Sequence, residues 1–160
     1  MTQFEPAVMA LASALRTRGW KIATAESCTG GLIAAACTAV AGSSDWFERG
    51  VVSYSNEAKA ELLGVPMALI QAHGAVSAEV ARAMAEGALA HSHAQLAVAV
   101  TGIAGPAGAT PGKPVGTVWL ALARAGDAGA QAELLTLAGD RAAIREQTVR
   151  HALQRLIENT

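Results

Sequence analysis

The sequence predicts an α/β domain in which a mixed sheet of about five strands lies between layers of helices. Helical and strand patterns follow one another along the 160 residues in the order α-β-α-β-α-α-β-β-β-α, in which a short helix at residues 66–72 is not counted, with no linker or repeat between them. Hydrophobic residues make up 52% of the chain but aromatic residues only 4%. The core is therefore built mainly from Ala, Val, Leu and Ile, which let helices approach a sheet closely. We expect one domain, residues 1–160, that buries about 68–70% of its unfolded surface.

The first βα unit follows an amino-terminal helix. Residues 5–18 carry apolar side chains at helical spacing, and Gly19 is a helix stop. WKIATA, residues 20–25, is typical of a short strand. The turn at residues 26–31 leads into an Ala-rich helix that we expect to end near Gly42.

A second strand and three helices follow. RGVVSYS, residues 49–55, has the β-branched and aromatic content of a strand, and Asn56 is expected to cap the next helix. A short helix is predicted over residues 66–72, after a Gly and a Pro that end the preceding one. Ser77 is the expected cap of a longer helix that runs to His91.

The last third of the chain contains the remaining strands. Residues 95–105 begin as a near-continuous apolar run, as expected for a central strand covered on both faces. Residues 106–114 hold three of the five prolines and form a constrained loop. Strands at 115–123 and 131–138 flank a turn and predict an antiparallel hairpin, and Asp140 caps the final helix.

Charge and composition bear on partners and compartment. With 12 basic and 13 acidic residues the formal net charge is -1, so we expect neither nucleic acid nor a membrane surface as a partner. The two cysteines make neither a disulfide framework nor a metal-ligand cluster, and no metal is expected. The amino terminus does not resemble a signal peptide. The uncharged stretch 27–44 is too rich in Gly, Ser, Thr and Ala for a membrane span, so we expect a cytoplasmic protein.

Two glycine-containing turns have the composition of a ligand site. ESCTGG follows the first strand, and TGIAGP follows the apolar strand that starts near residue 95. Ligands of open α/β sheets bind outside the carboxyl ends of the strands, so both turns are expected to face one pocket. Neither turn matches a nucleotide-binding fingerprint, because the first lacks a lysine and the second is followed by prolines instead of a helix.

Ser27 in the first turn has two interpretations. A serine at a strand-to-helix junction is a preferred N-cap, which is the ordinary explanation. The same geometry also exposes a hydroxyl where backbone N–H groups can hold an oxyanion, but a nucleophile needs a base. No histidine completes a Ser-His-Asp arrangement, and Cys28 as an alternative nucleophile likewise lacks a histidine partner.

Lys59 is the remaining candidate base. If Asn56 caps its helix, Lys59 lies at the third helical position, where the helix dipole and burial lower the pKa of an amine. A solvated surface lysine is the ordinary alternative. Tyr54, the only tyrosine, is either a core side chain or a hydrogen-bonding partner of the Ser27–Lys59 pair.

Several long motifs occur together and in order: TAESCTGG, AGSSDWFERGVVSYSNEAKAELLGV, HGAVS, VTGIAGP and KPVGTVW. Together they closely resemble the CinA C-terminal-domain family, the competence-damage-inducible family whose stand-alone members are nicotinamide mononucleotide amidohydrolases. The resemblance runs from the first helix to the closing GDRAAIREQTVRHAL. It implies a three-layer α/β/α sandwich with a mixed, mostly parallel sheet.

The resemblance also implies an activity and a site. The activity is hydrolysis of the carboxamide of nicotinamide mononucleotide to nicotinate mononucleotide and ammonia, with no cofactor. The catalytic serine and lysine match Ser27 and Lys59, with Tyr54 in support. Substrate binding is expected from the two turns and from one of the basic side chains Arg49, Lys113 and Arg141, which gives the set Thr29, Gly30, Gly31, Thr101, Gly102, Gly105 and Arg141.

Other interpretations stay open at the level of the sequence. The chain could be a non-catalytic nucleotide-binding or regulatory module, in which Ser27 only caps a helix. It could also act on another pyridine carboxamide, such as free nicotinamide. We expect a small-molecule pyridine nucleotide as the ligand and a homo-oligomer, a dimer or trimer, as the assembly.

Overall fold

A computed structural model describes all residues, 1–160, and has the predicted order of elements. The strands are β1 (Ile22–Glu26), β2 (Phe47–Val52), β3 (Leu96–Gly102), β4 (Thr117–Arg124) and β5 (Gln131–Thr136). The helices are α1 (Glu5–Arg18), α2 (Leu32–Thr38), α3 (Asn56–Leu63), α4 (Met67–His73), α5 (Ala78–Ala90) and α6 (Arg141–Asn159). None of the helices combines the length and apolar character needed to cross a lipid bilayer.

The five strands form one mixed sheet in the order β2-β1-β3-β4-β5. Strand β1 pairs in parallel with both β2 and β3, whereas β4 is antiparallel to β3 and to β5. Four strands therefore run in one direction and β4 alone is reversed. This confirms the mixed sheet and the hairpin, and it brings the carboxyl ends of β1 and β3 side by side.

Helices cover both faces of the sheet, as the three-layer prediction requires. One face packs against α1, α2 and α6 through a cluster of larger side chains that includes Leu11, Trp46 and Leu153. The other packs against α5 through a cluster rich in alanine, which lets this helix lie close to β3 and β4. At Gly87 in α5, an added Cβ would lie 2.0 Å from the Leu63 carbonyl oxygen, so α3 and α5 touch through backbone.

Several element boundaries differ from the sequence prediction, and three of these differences lie in β2, α2 and α3. Strand β2 starts and ends earlier than 49–55, because its residues pair with β1 only from Phe47 to Val52. Helix α2 ends at Thr38, well before Gly42, in a segment with β-branched residues that disfavour helix. The cap of α3 is Ser55 instead of Asn56: the Ser55 backbone is extended and its side chain accepts a hydrogen bond from the Ala58 N–H at 3.0 Å.

Candidate active site

The two glycine-containing turns meet at the carboxyl edge of the sheet. Glu26 at the end of β1 is in register with Val100 of β3, and the Ser27 N–H donates to the Val100 carbonyl at 3.0 Å. A cleft of about 210 Å³ opens here. Eleven residues line this cleft, among them Ser27, Lys59, Thr101 and Arg141. The structure therefore brings the first turn, the end of β3 and the start of α3 to one place.

Ser27 and Lys59 form a buried pair at the base of the cleft. Lys59 Nζ lies 3.1 Å from Ser27 Oγ, although the two residues are 32 positions apart. The exposed fraction of Lys59 is 1% and that of Ser27 is 8%. A solvated surface lysine is thus the wrong interpretation of Lys59. Because Ser55 is the cap, Lys59 lies at the fourth position of α3, one later than predicted.

The surroundings of the Lys59 amine favour its neutral form. Its other hydrogen-bond partners are the backbone carbonyls of Ser53 at 3.0 Å and Tyr54 at 3.1 Å, and no carboxylate forms an ion pair with it. Burial lowers the pKa of this amine, and the electrostatic effect of Cys28 opposes that shift only in part. In its ammonium form Lys59 donates to Ser27 Oγ and to the two carbonyls. In its neutral form the two carbonyls can take its two N–H donors, which leaves the lone pair for the Ser27 hydroxyl.

Ser27 does not cap α2. The helix begins five residues after it, at Leu32, and its N-cap Gly31 has no side chain to offer. The carboxylate of Glu26 takes that role: Oε1 accepts from the Ile33 N–H at 2.6 Å and Oε2 from the Ala34 N–H at 3.2 Å. Sequence analysis missed Glu26, because a carboxylate seven positions before its partner lies outside every local capping pattern.

Thr29, Gly30 and Gly31 shape the first turn and do not line the cleft. Thr29 is fully buried; its hydroxyl donates to Glu26 Oε1 at 2.8 Å, and its carbonyl accepts from Arg145 Nη2 at 2.9 Å. Gly30 and Gly31 have φ angles of 60° and 98°, the left-handed backbone that favours glycine. The Thr29 hydroxyl is thus bound by Glu26, and the substrate-binding role expected of Thr29, Gly30 and Gly31 stays a prediction.

The second turn contributes Thr101 and Gly102 to the cleft wall. The buried Thr101 hydroxyl donates to the Ala75 carbonyl at 2.9 Å, which ties β3 to the segment before α5. At Gly102 an added Cβ would lie 2.6 Å from Val118 Cγ2, so the position admits no larger side chain. Gly105 does not line the cleft, and its carbonyl accepts from Arg141 instead.

Arg141 is the one of the three proposed basic residues that reaches the cleft. Its Nη1 donates to the Gly105 carbonyl at 2.9 Å, and its Nη2 donates to the Tyr54 hydroxyl at 3.2 Å. Arg49 is bound to Glu48 and to the His91 carbonyl, away from the cleft. Lys113 donates to the carbonyl of a residue in α4 and does not line the cleft either.

Tyr54 is not a core residue, since 58% of it is exposed. Its backbone carbonyl contacts Lys59 and its phenol contacts Arg141, so it links the two basic side chains of the cleft. Cys28 also lines the cleft, but burial raises its pKa to about 11. Its thiol is therefore protonated at neutral pH and a poor nucleophile beside Ser27.

The fold and the cleft define an α/β protein with a buried serine–lysine pair at the carboxyl edge of its sheet. The family model described as "CinA C-terminal domain" matches residues 5–160. The chain belongs to this family. The sequence resemblance is thereby confirmed.

Similar proteins of known name or structure support the assignment. The Escherichia coli K12 protein named nicotinamide-nucleotide amidohydrolase PncC is 52% identical over 144 residues, 89% of this chain and 86% of that protein. A CinA-like protein of Citrifermentans bemidjiense is 57% identical over 143 residues. The match covers 89% of this chain but only 34% of the length of that protein. The crystal structure of the competence/damage inducible protein CihA from Agrobacterium tumefaciens superposes with a TM-score of 0.94 at 44% identity, covering 97% of this chain and 94% of that one.

Proposed function

We propose that the protein is a cytoplasmic nicotinamide mononucleotide amidohydrolase, which releases ammonia and nicotinate mononucleotide. Relatives named nicotinamide-nucleotide amidohydrolase, about half identical over most of both chains, support the substrate and the reaction. The observation that carries the proposal is the buried contact of 3.1 Å between Lys59 Nζ and Ser27 Oγ. Ser27 is not a helix cap, and Lys59 forms no ion pair with a carboxylate, so neither structural role accounts for this buried contact.

The first step is attack by Ser27. Neutral Lys59 takes the hydroxyl proton, and Oγ forms a bond to the carboxamide carbon of the substrate. The positive charge of the pyridinium ring makes that carbonyl more electrophilic. Burial lowers the pKa of Lys59, so its neutral form is reached at a lower pH than that of a lysine in water.

Backbone N–H groups of the first turn stabilise the resulting oxyanion. The Ser27 N–H is already bound to Val100 and the Gly30 N–H to the Ser27 carbonyl, so neither is available. The N–H groups of Cys28 and Thr29 donate to no backbone carbonyl of the chain. We assign the oxyanion to these two donors, each worth about 3–4 kcal/mol in comparable sites.

Collapse of the intermediate expels the amide nitrogen. Protonated Lys59 returns its proton to that nitrogen, which leaves as ammonia, and the nicotinoyl group stays on Ser27 as an ester. Lys59, neutral again, then activates a water that attacks the ester. Nicotinate mononucleotide leaves and the Ser27 hydroxyl is restored, so the cycle consumes only water and needs no metal or redox group.

The rest of the nucleotide extends towards Arg141. A second cavity of about 550 Å³ lies next to the cleft and shares Ala104 and Arg141 with it. With the pyridine ring at Ser27, the ribose phosphate reaches this cavity, where the Arg141 guanidinium supplies the positive charge that a phosphate needs. Tyr54 holds the same guanidinium in place.

The test is ammonia release by the purified protein from nicotinamide mononucleotide, with free nicotinamide measured in parallel. The proposal predicts turnover of the nucleotide and little turnover of the free base, because only the nucleotide reaches Arg141. Equal turnover of both would make it a general pyridine carboxamide amidase. Binding of the nucleotide without any ammonia release would favour the regulatory module instead.

A further inference from the structure

The turn that carries Ser27 is held by a residue that no catalytic step uses. Glu26 is 1% exposed, and its two carboxylate oxygens accept three hydrogen bonds. Two come from the Ile33 and Ala34 N–H groups of α2, and the third comes from the Thr29 hydroxyl. One side chain thus fixes both the middle of the turn and the helix that follows it.

Two structural features explain why a carboxylate is needed at this place. The first N–H groups of a helix lack partners within the helix, and those of Ile33 and Ala34 lie in a buried or half-buried position. Gly31, the N-cap, has no side chain to bind them. If Ser27 bound them instead, its hydroxyl could not face Lys59. Glu26 therefore leaves Ser27 free for chemistry.

A second anchor holds the same turn from the opposite side. Arg145 of α6 donates from Nη2 to the Thr29 carbonyl at 2.9 Å. Thr29 is thus bound through its hydroxyl to Glu26 and through its carbonyl to Arg145. Since Thr29 is two residues from Ser27, these bonds restrict the direction of the Ser27 side chain.

We propose, on the basis of the proposed function, that Glu26 is a positioning residue: acting through Thr29 and the start of α2, it holds Ser27 Oγ facing Lys59 Nζ. Burial raises the pKa of the Glu26 carboxyl, while its hydrogen bonds and the nearby Arg145 charge oppose that rise. The carboxylate form is the one that accepts all three hydrogen bonds. Three donors face this buried side chain, so the hydrogen-bond geometry fits a carboxylate.

The test separates the hydrogen bond from packing by four substitutions. Thr29→Val removes the hydroxyl at nearly constant volume, and Thr29→Ser keeps the hydroxyl but loses the methyl group. Thr148→Val is the matched control, because Thr148 is also fully buried and its hydroxyl donates only to the Ile144 carbonyl within α6. Glu26→Gln completes the set, since an amide cannot accept from both helix N–H groups.

We expect Thr29→Val and Glu26→Gln to lower kcat on the order of 100-fold, the effect of a misplacement of roughly 1 Å, with KM nearly unchanged. Thr148→Val should retain the kcat of the parent, and Thr29→Ser, which keeps the hydroxyl, should lose far less than Thr29→Val. The inference is overturned if Thr29→Val keeps full kcat, or if Thr29→Ser loses as much as Thr29→Val, which would indicate packing alone.

A second readout does not depend on the substrate. The pKa of the Lys59 amine, followed by NMR titration, should move in Thr29→Val but not in Thr29→Ser or Thr148→Val, because only the first releases Ser27 from Lys59. If the parent releases no ammonia, the proposed function fails and this titration alone decides the positioning role. An unchanged Lys59 pKa in Thr29→Val would contradict it.

Discussion

Replacing Lys59 with methionine removes the only base that contacts Ser27 while keeping the length of the side chain. No histidine lines the cleft, and the cleft-lining thiol of Cys28 is protonated at neutral pH. No neighbouring group can therefore take over the proton transfer. Positioned general bases contribute about 10²–10⁴-fold, and we expect a loss in kcat towards the upper end of this range. In free energy this corresponds to about 3–5 kcal/mol of transition-state stabilisation.

The same variant tests the ionisation of Lys59. In the parent, kcat/KM should rise with pH as the ammonium form is lost, with a midpoint below the ordinary lysine value of 10.5. A lysine whose pKa is lower in the folded state loses protons more readily there than in the unfolded chain. The free energy of unfolding should therefore rise with pH between the lowered pKa and 10.5, and fall as the pH drops through the lowered pKa. Lys59→Met should lack both pH dependences.

The assays are ammonia release across pH and denaturant unfolding at matched pH values. Lys21→Met is the control, because Lys21 is exposed and lies at the start of β1, away from the cleft. The reasoning is refuted if Lys59→Met keeps more than about a tenth of the parental kcat, since no base would then be needed. It is also refuted if the kcat/KM of the parent does not rise with pH with a midpoint below pH 10.5.

Two further predictions concern substrate binding and packing. Arg141→Ala should raise KM for nicotinamide mononucleotide by about 10–100-fold, because a charged hydrogen bond to the phosphate is lost, and should affect kcat less. Steady-state kinetics measures both constants. An unchanged KM would show that Arg141 does not bind the phosphate. Gly87→Ala should lower the free energy of unfolding by about 1–3 kcal/mol, because the new Cβ would overlap the Leu63 carbonyl. Gly129→Ala, which meets only a Glu86 oxygen at 3.4 Å, is its control in thermal unfolding, and equal Tm values for the two variants would show that α3 moves freely.

Periodicity predicted the layers and the order of elements because helix and strand patterns are local properties of a sequence. It also predicted that two turns would meet, since the ends of parallel strands share an edge. The same local rules were misleading at the site itself. Ser27 resembles a cap until the Glu26 carboxylate is seen to bind the helix, and Tyr54 resembles a core residue until the chain is seen to leave the sheet at Val52.

The pairing of Ser27 with Lys59 could not be derived from spacing. It depends on the parallel pairing of β1 with β2, which places the start of α3 above the first turn, and no local pattern encodes that register. Elimination left Lys59 as the candidate base, the family resemblance favoured it over a surface lysine, and the structure supplied its surroundings. The absence of a carboxylate partner for Lys59 became visible only with the fold.

The most direct test of the central claim is ammonia release from nicotinamide mononucleotide by Ser27→Ala beside the parent. Ser13→Ala, on the exposed face of α1, is the control, and nucleotide binding is measured on all three proteins. The account predicts that Ser27→Ala binds the nucleotide but releases no ammonia above background, while Ser13→Ala matches the parent. Turnover that survives the loss of Ser27 would contradict the nucleophile, the lysine base and the positioning of the turn together.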